Sequence, residues 1–236
     1  MKRLGDVEFE YLFLSEANLG MCRGCRVCFE VGEDRCPIED DRPSIAEQIQ
    51  RADGVIIATP VYVGNVSGLT KNFIDRFAYT CHRPRFFKHV LAISTTGSAG
   101  ARFTLILLTM SLVPMGFKVI HRLGVACGRG HAEPRNNGIS QRKEEMIQKK
   151  ADTAARIFYK TLLVEPPTPG VIGMAAFLIQ KEAYLKAPAK SCDFAYWQDK
   201  GWLRKDAHYY YDSDASAVKK ALAIGVSKLL ALAISG

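Results

Sequence analysis

Two short apolar runs constrain this chain more than any other feature, because each ends in small or turn-forming residues and is followed by a helical pattern. Gly54-Val-Ile-Ile-Ala-Thr59 runs into Pro60, and His89-Val-Leu-Ala-Ile-Ser94 runs into Thr95-Thr-Gly-Ser-Ala-Gly100. Runs of this kind read as strands of a parallel sheet, buried on both faces. A loop over residues 60–68 leads from the first into a helix over residues 69–77, and the second leads into an apolar helix over residues 103–113. Residues 118–126 form a further strand. Residues 140–163 carry a long amphipathic helix, closed by the breaker Glu165-Pro-Pro-Thr-Pro-Gly170. Strands alternating with helices predict an α/β doubly wound parallel sheet whose ligands bind at the carboxyl ends of its strands.

Upstream, residues 7–15 (VEFEYLFLS) alternate and read as a strand. Asp40-Asp41-Arg42-Pro43-Ser44 supplies helix-start chemistry, after which Ile45, Ile49 and Ala52 share one helical face. The expected organisation is a core domain over residues 1–165 and an extension over residues 166–236 packed on it. A chain of 236 residues can bury a sizeable core. Its formal charge of +8 is dispersed, with no basic stripe interleaved with aromatics, so nucleic acid is not an expected partner. A basic surface does suit an anionic small ligand such as a phosphorylated nucleotide. The opening Met1-Lys-Arg-Leu-Gly-Asp6 builds no apolar signal segment, and seven cysteines is an odd number with four closely bunched. A reducing, cytoplasmic setting is the expectation.

Those four, Cys22, Cys25, Cys28 and Cys36, follow the spacing C-x2-C-x2-C-x7-C, with Pro37 after the last. The spacing puts four thiols within reach of one cubane-sized site, and thiolates are the soft ligands that iron–sulfur clusters and zinc select. Three cysteines at successive three-residue intervals resemble the compact loop around a [4Fe–4S] cluster. Zinc sites more often take two separated Cys-x2-Cys knuckles, and a single cluster stands here. A reduced thiol loop without metal, and zinc or disulfides, stay open as alternatives.

The loop Thr59-Pro-Val-Tyr-Val-Gly-Asn-Val-Ser-Gly68, followed by Lys71-Asn-Phe-Ile-Asp-Arg76, resembles the flavodoxin-like NAD(P)H-dependent FMN reductase family. In combination with the cysteine run the chain is similar to the iron–sulfur flavoprotein branch of that family, over residues 7–165. The resemblance implies a flavodoxin-like fold and FMN held by Pro60, Val61, Tyr62, Val63, Gly64 and Asn65, with Ser67 nearby. It places Thr95, Thr96, Gly97 and Ser98 along the other edge of the flavin, and a [4Fe–4S] cluster on Cys22, Cys25, Cys28 and Cys36. Pro60 and Gly64 would shape backbone to approach a flat ring, and Tyr62 offers an aromatic face for stacking. The family's first strand and its glycine–serine–proline–arginine phosphate loop have no counterpart, since residues 1–6 are too short for them. The sheet is therefore expected to be N-terminally truncated. Arg83, Arg85 or Arg102 could take over the phosphate, and a start codon upstream of Met1 accounts for the gap equally well.

Other features have blander readings. Asp75 and Arg76 end a helix with structural hydrogen bonds. Cys81, His82 and Cys192 have no partner spacing and read as structural, and His131 sits in a glycine-rich loop. The aromatic stretch from Asp193 to Tyr211 either caps the flavin or seals the core or a subunit contact, and the second is favoured. The apolar tail over residues 217–234 reads as a packed terminal helix, too broken to span a bilayer; a peripheral membrane contact through it is not favoured.

The expected function is a flavin-dependent oxidoreductase using FMN and a [4Fe–4S] cluster, with NAD(P)H as electron donor. A small-molecule electron acceptor or redox protein takes the electrons, and assembly is as a homodimer or homotetramer. The alternatives are an FMN or quinone reductase without a cluster, and a non-enzymatic redox carrier or sensor or cofactor-free remnant.

Overall fold

The computed structural model describes residues 1–127, 141–163, 169–186 and 191–234. Its elements run α1 (Val27–Glu30), α2 (Arg42–Arg51), β1 (Gly54–Pro60), α3 (Gly68–Arg76), β2 (His89–Thr96) and α4 (Ala101–Leu112). There follow β3 (Lys118–Ala126), α5 (Gln141–Leu162), α6 (Val171–Leu185), α7 (Cys192–Asp199) and α8 (Ala217–Ile234). The chain divides into two compact units, one built from Met1–Gly24 and Pro37–Glu165, the other from Cys25–Cys36 and Pro166–Gly236.

The first unit is organised on a three-stranded parallel sheet in the order β1-β2-β3. Gly54 stands beside His89 and Pro60 beside Thr95, so the carboxyl ends of β1 and β2 are level. Successive strand residues face opposite sides, and the packing follows that parity. Leu91 and Leu123 bury against Ala154 and Phe158 of α5. Gly124, one residue on, faces α4, where a Cβ would meet that of Ala101 at 3.3 Å. All three strands lie where their apolar runs predict them. β1 departs in one respect: Thr59 is its only buried residue, and Ile56 is 39 % exposed. It forms an edge of the described sheet, so it lacks the neighbour that would cover it. The strand expected over residues 7–15 is not formed: residues 7–13 pair with no strand and residues 14–16 turn, although the Phe9, Tyr11 and Phe13 rings stack in succession at 6.0 and 6.3 Å.

Two residues of α3 hold the stems of the cysteine-bearing segment. Arg76 donates from Nε and Nη2 to Asp40 Oδ2, at 3.1 and 2.7 Å, and both side chains are almost wholly buried. The same carboxylate oxygen accepts the Gly20 amide at 2.9 Å. One turn earlier, Asn72 donates to the carbonyls of Leu19 and Gly20 and accepts the Cys22 amide at 3.0 Å. Asn18 and Asp41 close the pair of stems further out. Asp40 and Asp41 serve the stems, and Asp40 Oδ1 also accepts the Arg42 amide at 3.2 Å at the start of α2, so the expected helix-start chemistry comes from Asp40, while the N-cap Asp41 makes no side-chain cap. Arg76 fills the structural role expected of it.

The second unit has its own core, made largely of aromatic rings. Phe177 of α6 stacks on Trp197 of α7 at 5.3 Å between centroids, and Trp202 and Tyr210 close on Trp197 edge to face. The polar edges of these rings are satisfied: Trp202 Nε1 donates to the Tyr210 carbonyl, and the Tyr210 hydroxyl donates to Gln180 Oε1. Lys181, buried on α6, donates to the carbonyls of Arg204 and Ala207. No described helix is long and apolar enough to cross a membrane.

Removing Arg76 leaves Asp40 charged and buried, which costs about 3–5 kcal/mol. Arg76→Ala is therefore expected to lower the urea unfolding midpoint sharply, and Arg76→Lys to recover little, since an ammonium cannot present two donors in one plane. A wild-type midpoint for Arg76→Ala would refute the role of the pair. Burial also holds the Lys181 ammonium below the usual lysine range, with the Asp206 charge opposing. Just below that range the unfolded chain binds more protons, so this residue makes stability rise with pH. Lys181→Met should flatten that rise just below the usual lysine range, read from unfolding midpoints.

Candidate functional site at the carboxyl edge of the sheet

The carboxyl ends of β1 and β2 are tied to each other and to the segments that follow them. The Val61 amide donates to the Thr95 carbonyl at 2.8 Å, and the Cys127 amide to the Thr96 carbonyl at 2.8 Å. Three strand ends therefore form one continuous edge. Beneath the first loop lies a hydroxyl network: Thr59 Oγ1 accepts the Ser67 amide and the Thr70 hydroxyl, both at 3.1 Å. Ser67 caps α3 by accepting the Thr70 amide. Both ends of the loop over residues 60–67 are thereby fixed to the sheet.

Between those ends the chain makes a tight reversal. Tyr62 and Asn65 exchange both backbone hydrogen bonds, at 3.0 and 2.9 Å, and the two residues between them are left-handed, Val63 at φ 50° and Gly64 at φ 73°. Both central residues at positive φ make this a type I′ reversal. Glycine takes that conformation freely, whereas a β-branched residue there is strained. Val63 is fully exposed and Tyr62 is 62 % exposed, so the reversal presents an apolar tip and an aromatic ring to solvent. Gly100, left-handed at φ 96°, is where the second loop meets the first: a Cβ there would lie 3.1 Å from Val61 Cγ1 and 3.7 Å from the Gly64 Cα. Within the second loop Thr96 Oγ1 donates to the Ala99 carbonyl and accepts the Ser98 amide.

Pro60, Val61, Tyr62, Val63, Gly64 and Asn65 are thus joined to the loop of Thr95, Thr96, Gly97 and Ser98 along one edge, while the Ser67 hydroxyl beside them caps α3. The arrangement suits a flat ring. Small residues and left-handed backbone permit close approach, and the Tyr62 face stands free to stack. Sequence reasoning missed Gly100, Thr59 and Thr70. The first carried a signal, a glycine immediately before a helix; the hydroxyl pair carried none. His131 lies outside the described residues.

The cysteine segment is described by its own parts. Cys22 belongs to the first unit, and Cys25, Cys28 and Cys36 to the second. No disulfide joins any of them among the described residues, and Cys25 is exposed between two left-handed residues, Gly24 and Arg26. Among the described residues no three His, Cys, Asp or Glu side chains are gathered so as to hold one metal ion. A zinc site needs its thiolates around a single ion at about 2.3 Å. A cubane takes each thiolate on a different iron, so its ligands stand apart. The donor set, four reduced soft ligands on one short segment, fits a cluster in kind and number.

A parallel sheet of three strands linked by helices defines an α/β protein. A family model described as NADPH-dependent FMN reductase matches residues 1–132, more than half of the chain, and the chain belongs to that family. An iron–sulfur flavoprotein of Clostridioides difficile is 29 % identical over 185 residues, covering 78 % of this chain and 77 % of its own. An iron–sulfur flavoprotein of Archaeoglobus fulgidus is 25 % identical over 203 residues, covering 83 % and 86 %. Among solved structures, a flavone reductase superposes with a TM-score of 0.48 at 18 % identity, over 67 % of this chain and about half, 53 %, of its own.

Replacing Val63 by asparagine, which tolerates the left-handed region, should relieve about 1 kcal/mol of strain. Val63→Asn is expected to raise the melting temperature by about 2–4 °C. An unchanged or lowered value in thermal unfolding would show that the reversal is not strained.

Proposed function

We propose that this chain is a flavin-dependent oxidoreductase that binds FMN at the carboxyl edge of its sheet and carries a [4Fe–4S] cluster on Cys22, Cys25, Cys28 and Cys36. NAD(P)H is the electron donor, and a small molecule or redox protein is the acceptor. The observation that carries the reading is the union of the Tyr62–Asn65 reversal with the loop after β2, held by the Val61–Thr95 hydrogen bond. Bound FMN supplies two-electron acceptance and stepwise release, and a cluster supplies one-electron steps.

The chain's own residues do the rest. Tyr62 offers its ring for stacking, and its exposure before binding means that apolar surface is buried when a flat ligand arrives. The Thr59, Ser67 and Thr70 hydroxyls keep the loop in place beforehand, which reduces the ordering cost of binding. Gly100 keeps open the approach between the two loops. A reducing, cytoplasmic setting belongs to the same reading, on the odd number and close bunching of the cysteines. Assembly as a homodimer or homotetramer belongs to the same reading, and light scattering tests it.

Anaerobically purified protein should show flavin absorption, release FMN on denaturation and oxidise NAD(P)H. Tyr62→Ala is expected to weaken FMN binding about two- to tenfold, read by fluorescence titration. Iron and sulfide assays on the same sample test the cluster, and substitution of any of the four cysteines by serine should lower both. Protein that neither takes up FMN nor oxidises NAD(P)H would overturn the reading.

A further inference from the structure

We propose that the C-terminal helices house the cysteine segment and that Cys192 is its positioning residue, an inference that rests on the cluster reading above. The segment Cys25–Cys36 folds with residues 166–236 as one unit, and α1 packs against α7 inside it. The α1 turn is four residues long and contains Cys28. An exposed Arg26–Glu30 ion pair at 3.3 Å spans it and contributes little. None of its residues is buried, Arg26 precedes it in the left-handed region at φ 63°, and no side chain caps its start. A single helical turn is unstable in water, because nucleation fixes several residues for one hydrogen bond.

Cys192 answers that need. It is the first residue of α7, whose start is fixed by Ser191 accepting the Phe194 amide. From there its thiol donates to the Phe29 carbonyl at 2.9 Å, with Asp193 Oδ1 at 3.9 Å. Phe29 follows Cys28 directly and sits in the last residues of α1, so the thiol ties the main chain beside Cys28 to the start of α7. α7 is in turn rigid, because Trp197 is fully buried against Phe177 and Trp202. The chemistry required of Cys192 is hydrogen-bond donation, which a hydroxyl also performs. A metal ligand would instead require the thiolate.

The wild-type chain, Cys192→Ser and Cys192→Ala separate these roles. Each is purified anaerobically and reconstituted with iron and sulfide, and the loss of visible absorption under a chelator is timed. Cys192→Ala is expected to lose its cluster about fivefold faster than wild type with flavin content unchanged, and Cys192→Ser to stay within about twofold. Equal lifetimes for wild type and Cys192→Ala overturn the proposal. Equal losses in Ser and Ala overturn it in favour of a direct ligand. A wild-type chain that takes up no iron removes the cluster reading alone, and amide exchange of the cluster-free proteins then decides. Amides of residues 29–32 should exchange about fivefold faster in Cys192→Ala than in wild type or Cys192→Ser. Unchanged exchange there overturns the proposal.

Discussion

The buried pair between Asp40 and Arg76 is the constraint on which the first unit's arrangement depends. Two charges removed from water repay their desolvation only when the remaining polar atoms are also satisfied. Here they are: the carboxylate receives two guanidinium donors, the Gly20 amide and the Arg42 amide. An apolar pair of similar volume would fill the space without fixing which backbone groups lie beside it. The ion pair, with Asn72 one turn before it, specifies that residues 19–22 and 40 lie against α3 and nowhere else. Nine residues of helix therefore carry two duties. The first turn, through Ser67 and Thr70, fixes the loop that follows β1, and the last turn fixes the stems of the cysteine segment.

Most of the sheet was legible because apolar runs report local conformation. Residues 54–60, 89–96 and 118–126 are strands for the same reason that they read as strands: β-branched and aliphatic side chains closed by small residues. Burial was less legible, since it depends on neighbours. Ile56 and Ala58 read as the middle of a covered strand, yet β1 is an edge of the described sheet and leaves them exposed. Residues 7–15 show the same limit. Their alternation brings the Phe9, Tyr11 and Phe13 rings together, but pairing needs an available edge that periodicity cannot supply. Asp40 was legible in part: it meets the first amide of α2 as helix-start chemistry predicts, whereas its pair with Arg76 lies beyond any local pattern.

The candidate site was legible to the extent that parallel neighbours are. Two strands in register bring the residues after each to one edge, so Tyr62 and Thr96 were placed together by topology alone. What sequence could not supply was the contact that joins the loops. Gly100 is nearly forty residues from Val61, and its value lies in the side chain it lacks. Ser67, placed near the ligand by its position in the loop, also caps the helix that starts beside it.

Cys192 is the sharpest case, since it lies more than 160 residues from the carbonyl it meets and has no partner spacing of any kind. The aromatic extension around it invites the reading of a flavin cap. Its rings are largely turned on one another, however: Phe177, Trp197, Trp202 and Tyr210 form a core, and the polar edges of Trp202 and Tyr210 are met by hydrogen bonds within the same unit. A wall so occupied has little free face for a ligand, but it makes a stiff base. A four-residue turn flanked by cysteines cannot hold its own shape. The density of aromatics in the extension is intelligible as the rigidity that such a turn borrows, with the thiol at the start of α7 as the point of transfer.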